Sequence, residues 1–257
     1  YVVMRDGDPP YDDDLIVGVH PLKEALRTVN VRLDQVIIRQ GSRNRQHEEI
    51  RRLAKHACVP VKLVPSEALD RLARSPKHQG VLGYVSQKVY VSFDALLEEV
   101  GMAEVSPFLL VLDGVEDPRN MGAIIRTAEG AGVSGVVVPD RRAVGMTSVV
   151  ARASAGALEH ATVARVANLS QSIERLKSNG VWVYGLDPHA AKSYLDLDYR
   201  GPIAIVVGGE GRGIRPGLLK QCDDRVAIPM QGTVSSLNVS VAAAVLFYEV
   251  VRQRGGS

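Results

Sequence analysis

Ile203-Ala204-Ile205-Val206-Val207-Gly208-Gly209-Glu210-Gly211-Arg212-Gly213-Ile214 decides how this chain is read. An unbroken apolar run rich in β-branched residues predicts a strand buried on both faces, as in a parallel sheet covered by helices. That strand runs into a turn holding four glycines and one acid. Glycines permit positive φ and let the backbone approach a ligand closely. A dinucleotide-binding turn is the tempting assignment, and the spacing disagrees with it. Read from Gly209, G-x-G-x-x-G needs a glycine where Ile214 stands; read from Gly208, it puts Glu210 at the second glycine. A ligand loop is the favoured reading, with a plain tight turn as the alternative.

Around this segment the pattern is strand and helix in alternation. Strands are predicted at 108–112, 135–138, 181–185, 203–207 and 225–228, and helices at about 120–130, 148–158, 169–178, 215–221 and 236–254. Apolar strands alternating with helices mean an α/β fold with a mostly parallel sheet, here spanning 107–257. Upstream, a shorter α/β pattern covers 15–88. It has a helix near Pro21 to Arg27, a strand at 36–38 and an amphipathic helix at 46–58. A strand at 61–64, a helix at 67–74 capped by Ser66 and a strand at 81–85 complete it. Residues 89–106 read as a linker with one short helix, and 1–14, acidic and carrying Pro9-Pro10, as a disordered lead-in.

Composition narrows the class. At 257 residues, 46% apolar and 23% charged, the chain is an ordinary globular protein of two modest domains. The apolar run from Val239 to Val251 falls short of the roughly 20 residues a bilayer span needs, so no membrane role is expected and a buried helix is. Cys58 and Cys222 are the only cysteines, which excludes a disulfide framework and points to a reducing compartment such as the cytoplasm. The net charge of +2 hides an asymmetry: residues 20–90 carry 14 Lys and Arg against 6 Asp and Glu. A basic segment on a near-neutral body suits a polyanionic partner, or is simply a solvated surface. The histidines (His20, His47, His56, His78, His160, His189) are scattered and read as surface or core residues, with no metal-ligand cluster.

Two further segments carry polar groups where a core would not want them. In Leu112-Asp113-Gly114-Val115-Glu116-Asp117-Pro118-Arg119-Asn120-Met121-Gly122-Ala123-Ile124-Ile125-Arg126, a buried strand turns into a helix starting at about Asn120. Asn120 reads as an N-cap or a site residue. Arg126, among small and apolar neighbours, needs anionic partners or an exposed face. In Ile228-Pro229-Met230-Gln231-Gly232-Thr233-Val234-Ser235-Ser236-Leu237-Asn238-Val239-Ser240, a strand turns into a long helix. Ser235 or Ser236 could cap it, and Asn238 and Ser240 then ask for partners inside its first turns.

Taken together, the three segments closely resemble the motifs of the SpoU (TrmH) family of SPOUT RNA methyltransferases. In order they match N-x-G-x-x-x-R, G-x-E-G-x-G and I-P-M-x-G-x-x-x-S-L-N-V-S, from Phe108 onward. Residues 15–88, with His78-Gln79-Gly80-Val81, resemble the small RNA-binding domain of the 23S rRNA guanosine 2′-O-methyltransferases of the RlmB type. The resemblance implies a deep trefoil knot in the SPOUT domain, a homodimer, and S-adenosylmethionine as methyl donor. Carried over by position, Gly208, Gly213, Ile228, Met230 and Leu237 would hold that donor. Arg126, Asn120, Glu210, Ser236 and Asn238 would form the catalytic constellation, with a buried Arg126 guanidinium at the acceptor ribose of 23S rRNA. Arg43, Arg45, Arg51 and Arg52 are candidate phosphate contacts. The competing expectations are a tRNA substrate, a non-catalytic RNA-binding protein of the same fold, and an oxidoreductase on a doubly wound sheet. An organellar source is the alternative to the cytoplasm.

Overall fold

The computed structural model describes residues 15–27, 33–73, 78–86 and 88–255, so the lead-in expected at 1–14 lies outside the described residues. The chain separates into two compact units. One runs to Val89 and takes in Gly145–Ala151; the other comprises Tyr90–Val144 and Arg152–Ser257.

The first unit contains β1 (Leu15–Val17), α1 (Val19–Arg27), β2 (Leu33–Arg39), α2 (Arg45–His56), β3 (Val61–Val64), α3 (Ser66–Ala73) and β4 (Val81–Val85). Its sheet has the order β1-β4-β2-β3, with β2 parallel to β3 and antiparallel to β4. Strand side chains alternate between faces, and β2 shows the consequence. Val36 and Ile38 pack with Leu22 of α1 and Ile50 of α2, whereas Ile37 packs with Leu69 of α3. The helix expected to follow a Ser66 cap begins at Ser66 itself. The Pro65 carbonyl takes the first turn's bonds from the Ala68 and Leu69 amides, so Ser66 is not the cap.

In the second unit come α4 (Phe93–Gly101), β5 (Phe108–Asp113), α5 (Pro118–Gly130), β6 (Gly135–Pro139), α7 (Ala157–His160) and β7 (Val163–Val166), while α6 (Ser148–Ala153) belongs to the first unit as far as Ala151. There follow α8 (Leu169–Ser178), β8 (Trp182–Leu186), β9 (Lys192–Ser193), β10 (Ile203–Gly208), α9 (Pro216–Leu219), β11 (Asp224–Ala227) and α10 (Val239–Gln253). Every pairing in its sheet is parallel, in the order β7-β6-β5-β10-β8-β11-β9. β5 and β10 are buried along their whole length, as their unbroken apolar runs require.

Three differences from the sequence reading have plain causes. β7 and β9 were not expected, because β7 is broken by Arg165 and β9 is only two residues long; neighbouring strands, not local pattern, make them strands. The helix expected at 148–158 is broken into α6 and α7, where Ala155 and Gly156 take positive φ of 50° and 93°. The stretch read as a linker is built into the second unit. Ser92 caps α4, and Phe93, Leu96 and Val100 pack against Leu109 and Val137.

α10 lies on α5 and β10, and Phe247 meets Phe108 edge-on at 5.5 Å. Its end is tied down by Arg254, which donates to the carbonyls of Ser106 (2.6 Å) and Gly201 (2.7 Å). The helix expected to be buried is buried on one side only, since Val241 and Tyr248 are 49% and 55% exposed.

Leu96 is fully buried. Leu96→Ala should therefore cost about 2–5 kcal/mol in urea unfolding of the second unit, where a true linker residue would change stability by at most about 0.5 kcal/mol.

Candidate active site

All strands of the second sheet run the same way, so β5, β10 and β11 end along one edge. In open parallel sheets that edge, outside the carboxyl ends of the strands, is where ligands are held. The three segments singled out in the sequence leave the sheet there.

The close packing of that edge demands glycine. Gly208 stands opposite Asp113 in the register of β10 on β5. A Cβ on Gly209 would lie 1.8 Å from the Gly114 carbonyl oxygen, and one on Gly208 would lie 2.0 Å from the Gly213 carbonyl carbon. The loop then folds back on itself, the Gly213 amide donating to the Gly209 carbonyl at 3.0 Å. Asp113, 3% exposed, anchors the same crossing. Its carboxylate accepts from the Arg215 backbone amide at 2.8 Å and from Arg215 Nε at 2.7 Å, while its carbonyl accepts from the Gly209 amide at 2.9 Å. Sequence reasoning missed Asp113 and Arg215. The available signal was an acid closing a wholly apolar strand and a base directly after the glycine loop.

Helix ends set the polar constellation. Asp117, not Asn120, caps α5, accepting from the Arg119 and Asn120 amides at 2.7 and 2.9 Å, and Pro118 occupies the first helical position. That frees the Asn120 side chain. Asn238, rather than Ser235 or Ser236, caps α10, its Oδ1 accepting from the Ser240 amide at 2.9 Å and the Ser240 hydroxyl at 2.6 Å. A backbone N–H can only donate, so Oδ1 is the end of Asn238 turned to the helix and Nδ2 is the end left to donate. Asn238 Nδ2 donates to Asn120 Oδ1 at 3.1 Å, and Asn120 Nδ2 donates to Glu210 Oε1. One hydrogen-bonded chain thus joins all three segments and ends on a carboxylate held as an acceptor.

The sequence matches the SpoU rRNA Methylase family over residues 107–248 and the RNA 2′-O ribose methyltransferase substrate-binding family over 15–91. The chain belongs to the SpoU rRNA methylase family. A relative in Staphylococcus aureus named for the TrmH family of tRNA/rRNA methyltransferases is 43% identical over 243 residues, covering 95% of this chain and 97% of that protein. A crystal structure of an RNA 2′-O ribose methyltransferase aligns with TM-score 0.54 at 28% identity, covering 93% of this chain and 88% of that one. The fold is shared with the SpoU methyltransferase AviRb of Streptomyces viridochromogenes in complex with AdoMet, at TM-score 0.59 and 24% identity over 95% and 91% of the two chains. The protein is accordingly an RNA methyltransferase of the SpoU family.

Set against the family expectation, the structure brings together Asn120, Glu210 and Asn238. It does not bring Arg126 to them. Expected to be buried, Arg126 is exposed and has no hydrogen-bond or ion-pair partner among the described residues. Helix geometry gives the reason: six residues from Asn120 turn the side chain about 240° around α5 and raise it about 9 Å. Ser236 is likewise exposed without a hydrogen-bond partner among the described residues. Of the five positions expected at the methyl donor, Gly208 is buried, Ile228 and Met230 are partly exposed, and Gly213 and Leu237 are exposed. In the first unit Arg43, Arg45 and Arg52 are exposed, whereas Arg51 donates to Glu48 one turn back at 2.9 Å. No group of three or more His, Cys, Asp or Glu among the described residues could hold a metal, and no helix among them is long and apolar enough to cross a membrane.

This geometry makes two SpoU-family variants informative. Gly209→Ala should lower the melting temperature and abolish methyl transfer, because rigid backbone opposes its Cβ. Asn120→Ala should leave the melting temperature within a few degrees of wild type yet cut turnover by about 10²-fold, the cost of a misplaced catalytic group, in single-turnover assays.

Proposed function

We propose that this chain transfers a methyl group from S-adenosylmethionine to a ribose 2′-hydroxyl of structured RNA, a guanosine of 23S rRNA, in a bacterial cytoplasm. The observation that carries the reading is the Asn238–Asn120–Glu210 chain, which links three sequence-distant segments at one sheet edge. A structural turn would not require it. The residues fit a bent cofactor: backbone at Gly208 and Gly213, and apolar surface at Ile228, Met230 and Leu237, the last 36% exposed. When bound, S-adenosylmethionine supplies a methyl carbon already activated by a sulfonium.

The protein's own share is alignment and one proton. Glu210, held by Asn120, accepts a hydrogen bond from the sugar and orients it. Arg126 holds the RNA phosphate and stabilises charge developing on the ribose oxygen, while a phosphate oxygen or water takes the proton. A guanidinium is a poor base, which favours this role over direct deprotonation.

Arg126 and the Asn120 edge meet, on this proposal, across the two-fold axis of a homodimer. Support comes from the exposed Val241 and Tyr248 on α10, which packs on the helix bearing Arg126. The C-terminal half is proposed to be threaded as a trefoil knot, consistent with the mutual backbone approach at Gly208, Gly209 and Gly114.

For the RNA class, the family matched over 107–248, described for rRNA methylases, favours rRNA. A structure described for 2′-OH methylation of C/U34 on tRNA is covered along 99% of its length by 59% of this chain, at 28% identity and TM-score 0.53. The rest of this chain has no counterpart there.

Tritiated S-adenosylmethionine and total RNA provide the test, with ribose-methyl mapping in cells lacking the gene. Label should enter 23S rRNA at a guanosine 2′-oxygen, and that site should lose its methyl in the deletion. Label in tRNA alone would move the substrate to tRNA, and no transfer to any RNA would leave a non-catalytic binding protein. Arg126→Lys, lacking the planar fork, should reduce turnover by about 10²–10³-fold. Tyr248→Glu should shift the protein to a monomer in sedimentation and inactivate it.

A further inference from the structure

The first unit contains a cleft of about 550 Å³ that no part of the methyl-transfer chemistry uses. Its floor is locked with unusual care for a solvated groove. His78, 6% exposed, accepts at Nδ1 from the Gly80 amide (2.9 Å), so its Nε2 carries the proton shared with Asp70 at 2.8 Å. His47, 2% exposed, sets its Nε2 at 2.9 Å from the Gln79 carbonyl. A carbonyl only accepts, so this nitrogen donates and His47 Nδ1 is left an acceptor. That atom is buried and has no partner among the described residues. Gln79 takes a positive φ of 53°, and its Oε1 accepts from the Val19 amide at the start of α1 at 3.0 Å. At Gly80 a Cβ would come within 2.7 Å of the His47 ring.

A cationic side chain and two helix starts line the cleft's mouth. The first turns of α2 and α3 line it through Gln46 and Ser66, so the positive ends of two helices open into it, and Arg39 stands beside them. Exposed Arg43 and Arg45 adjoin the start of α2. Among the described residues the lining holds one acid, Asp70, which accepts a hydrogen bond from His78. The volume lies within the ~300–1,000 Å³ typical of small-ligand sites, room for one nucleotide. We propose that this cleft seats a single unpaired nucleotide of the RNA substrate, its phosphate at Arg39 and the helix starts, its base against the 78–80 loop. A base inside a duplex could not enter, and sequence-specific RNA recognition works on splayed-out bases. The proposal rests on the reading that the substrate is RNA.

The test uses the full chain and a labelled mixed-sequence single-stranded RNA decamer, with the same sequence as a blunt duplex for comparison, followed by anisotropy across a salt series. The strand should bind more tightly than the duplex. Arg39→Gln should lower the slope of log K against log salt by about one. Ser66→Glu is compatible with the start of a helix and sets a carboxylate against the phosphate, so it should weaken strand binding by roughly tenfold or more while the melting temperature and S-adenosylmethionine affinity hold. Wild-type strand binding by a folded Ser66→Glu protein, or equal binding of strand and duplex, overturns the cleft. If the cleft variants lose binding but the wild type methylates no RNA, the methyl-transfer reading falls and the cleft stands.

Discussion

The site depends on one close contact, the packing of Gly209 against the Gly114 carbonyl. Two strand ends approach there more closely than any side chain allows, and Asp113 at the end of β5 binds the continuation of β10 at Gly209 and Arg215. The geometry of the glycine loop is therefore a property of β5 as much as of β10. Loosening it would move Glu210 relative to Asn120, and with it the only acid the loop offers.

From that contact the polar chain takes its direction. A helix end with an unsatisfied amide fixes Asn238, Asn238 fixes Asn120, and Asn120 fixes Glu210. Each side chain is an ordinary capping or turn residue by itself. Their order converts a structural requirement of α10 into a carboxylate presented as an acceptor. Arg126 stands apart from this chain for geometric reasons, on another face of α5, which is why a second copy enters the functional proposal at all.

The basic first unit serves a different need. Its sheet is covered by helices on both faces, and two of its buried polar residues, His47 and His78, line the cleft beside the starts of α2 and α3. The SpoU family relation of the second unit says what chemistry is done; the first unit bears on which RNA is offered to it.

Much of this was legible in the sequence. Buried parallel strands have to be apolar throughout, so β5, β6, β8 and β10 were found nearly to the residue, and β3 and β4 were found to the residue. Asn120 and Asn238 stood out because polar groups in apolar surroundings need partners, and Glu210 because it is the acid of a glycine-rich turn. What sequence alone could not settle was who those partners are. It misplaced the caps of α5 and α10, because several polar residues compete at each helix start and only the folded chain selects one. It took 89–106 for a linker, since the value of Phe93 and Leu96 lies in a core made by distant strands. The family resemblance implied a buried Arg126 while the residues left an exposed face open, because periodicity shows that a helix has two faces but not where a third segment will lie. Local pattern decides which stretches become strand or helix; long-range packing decides which side chains meet.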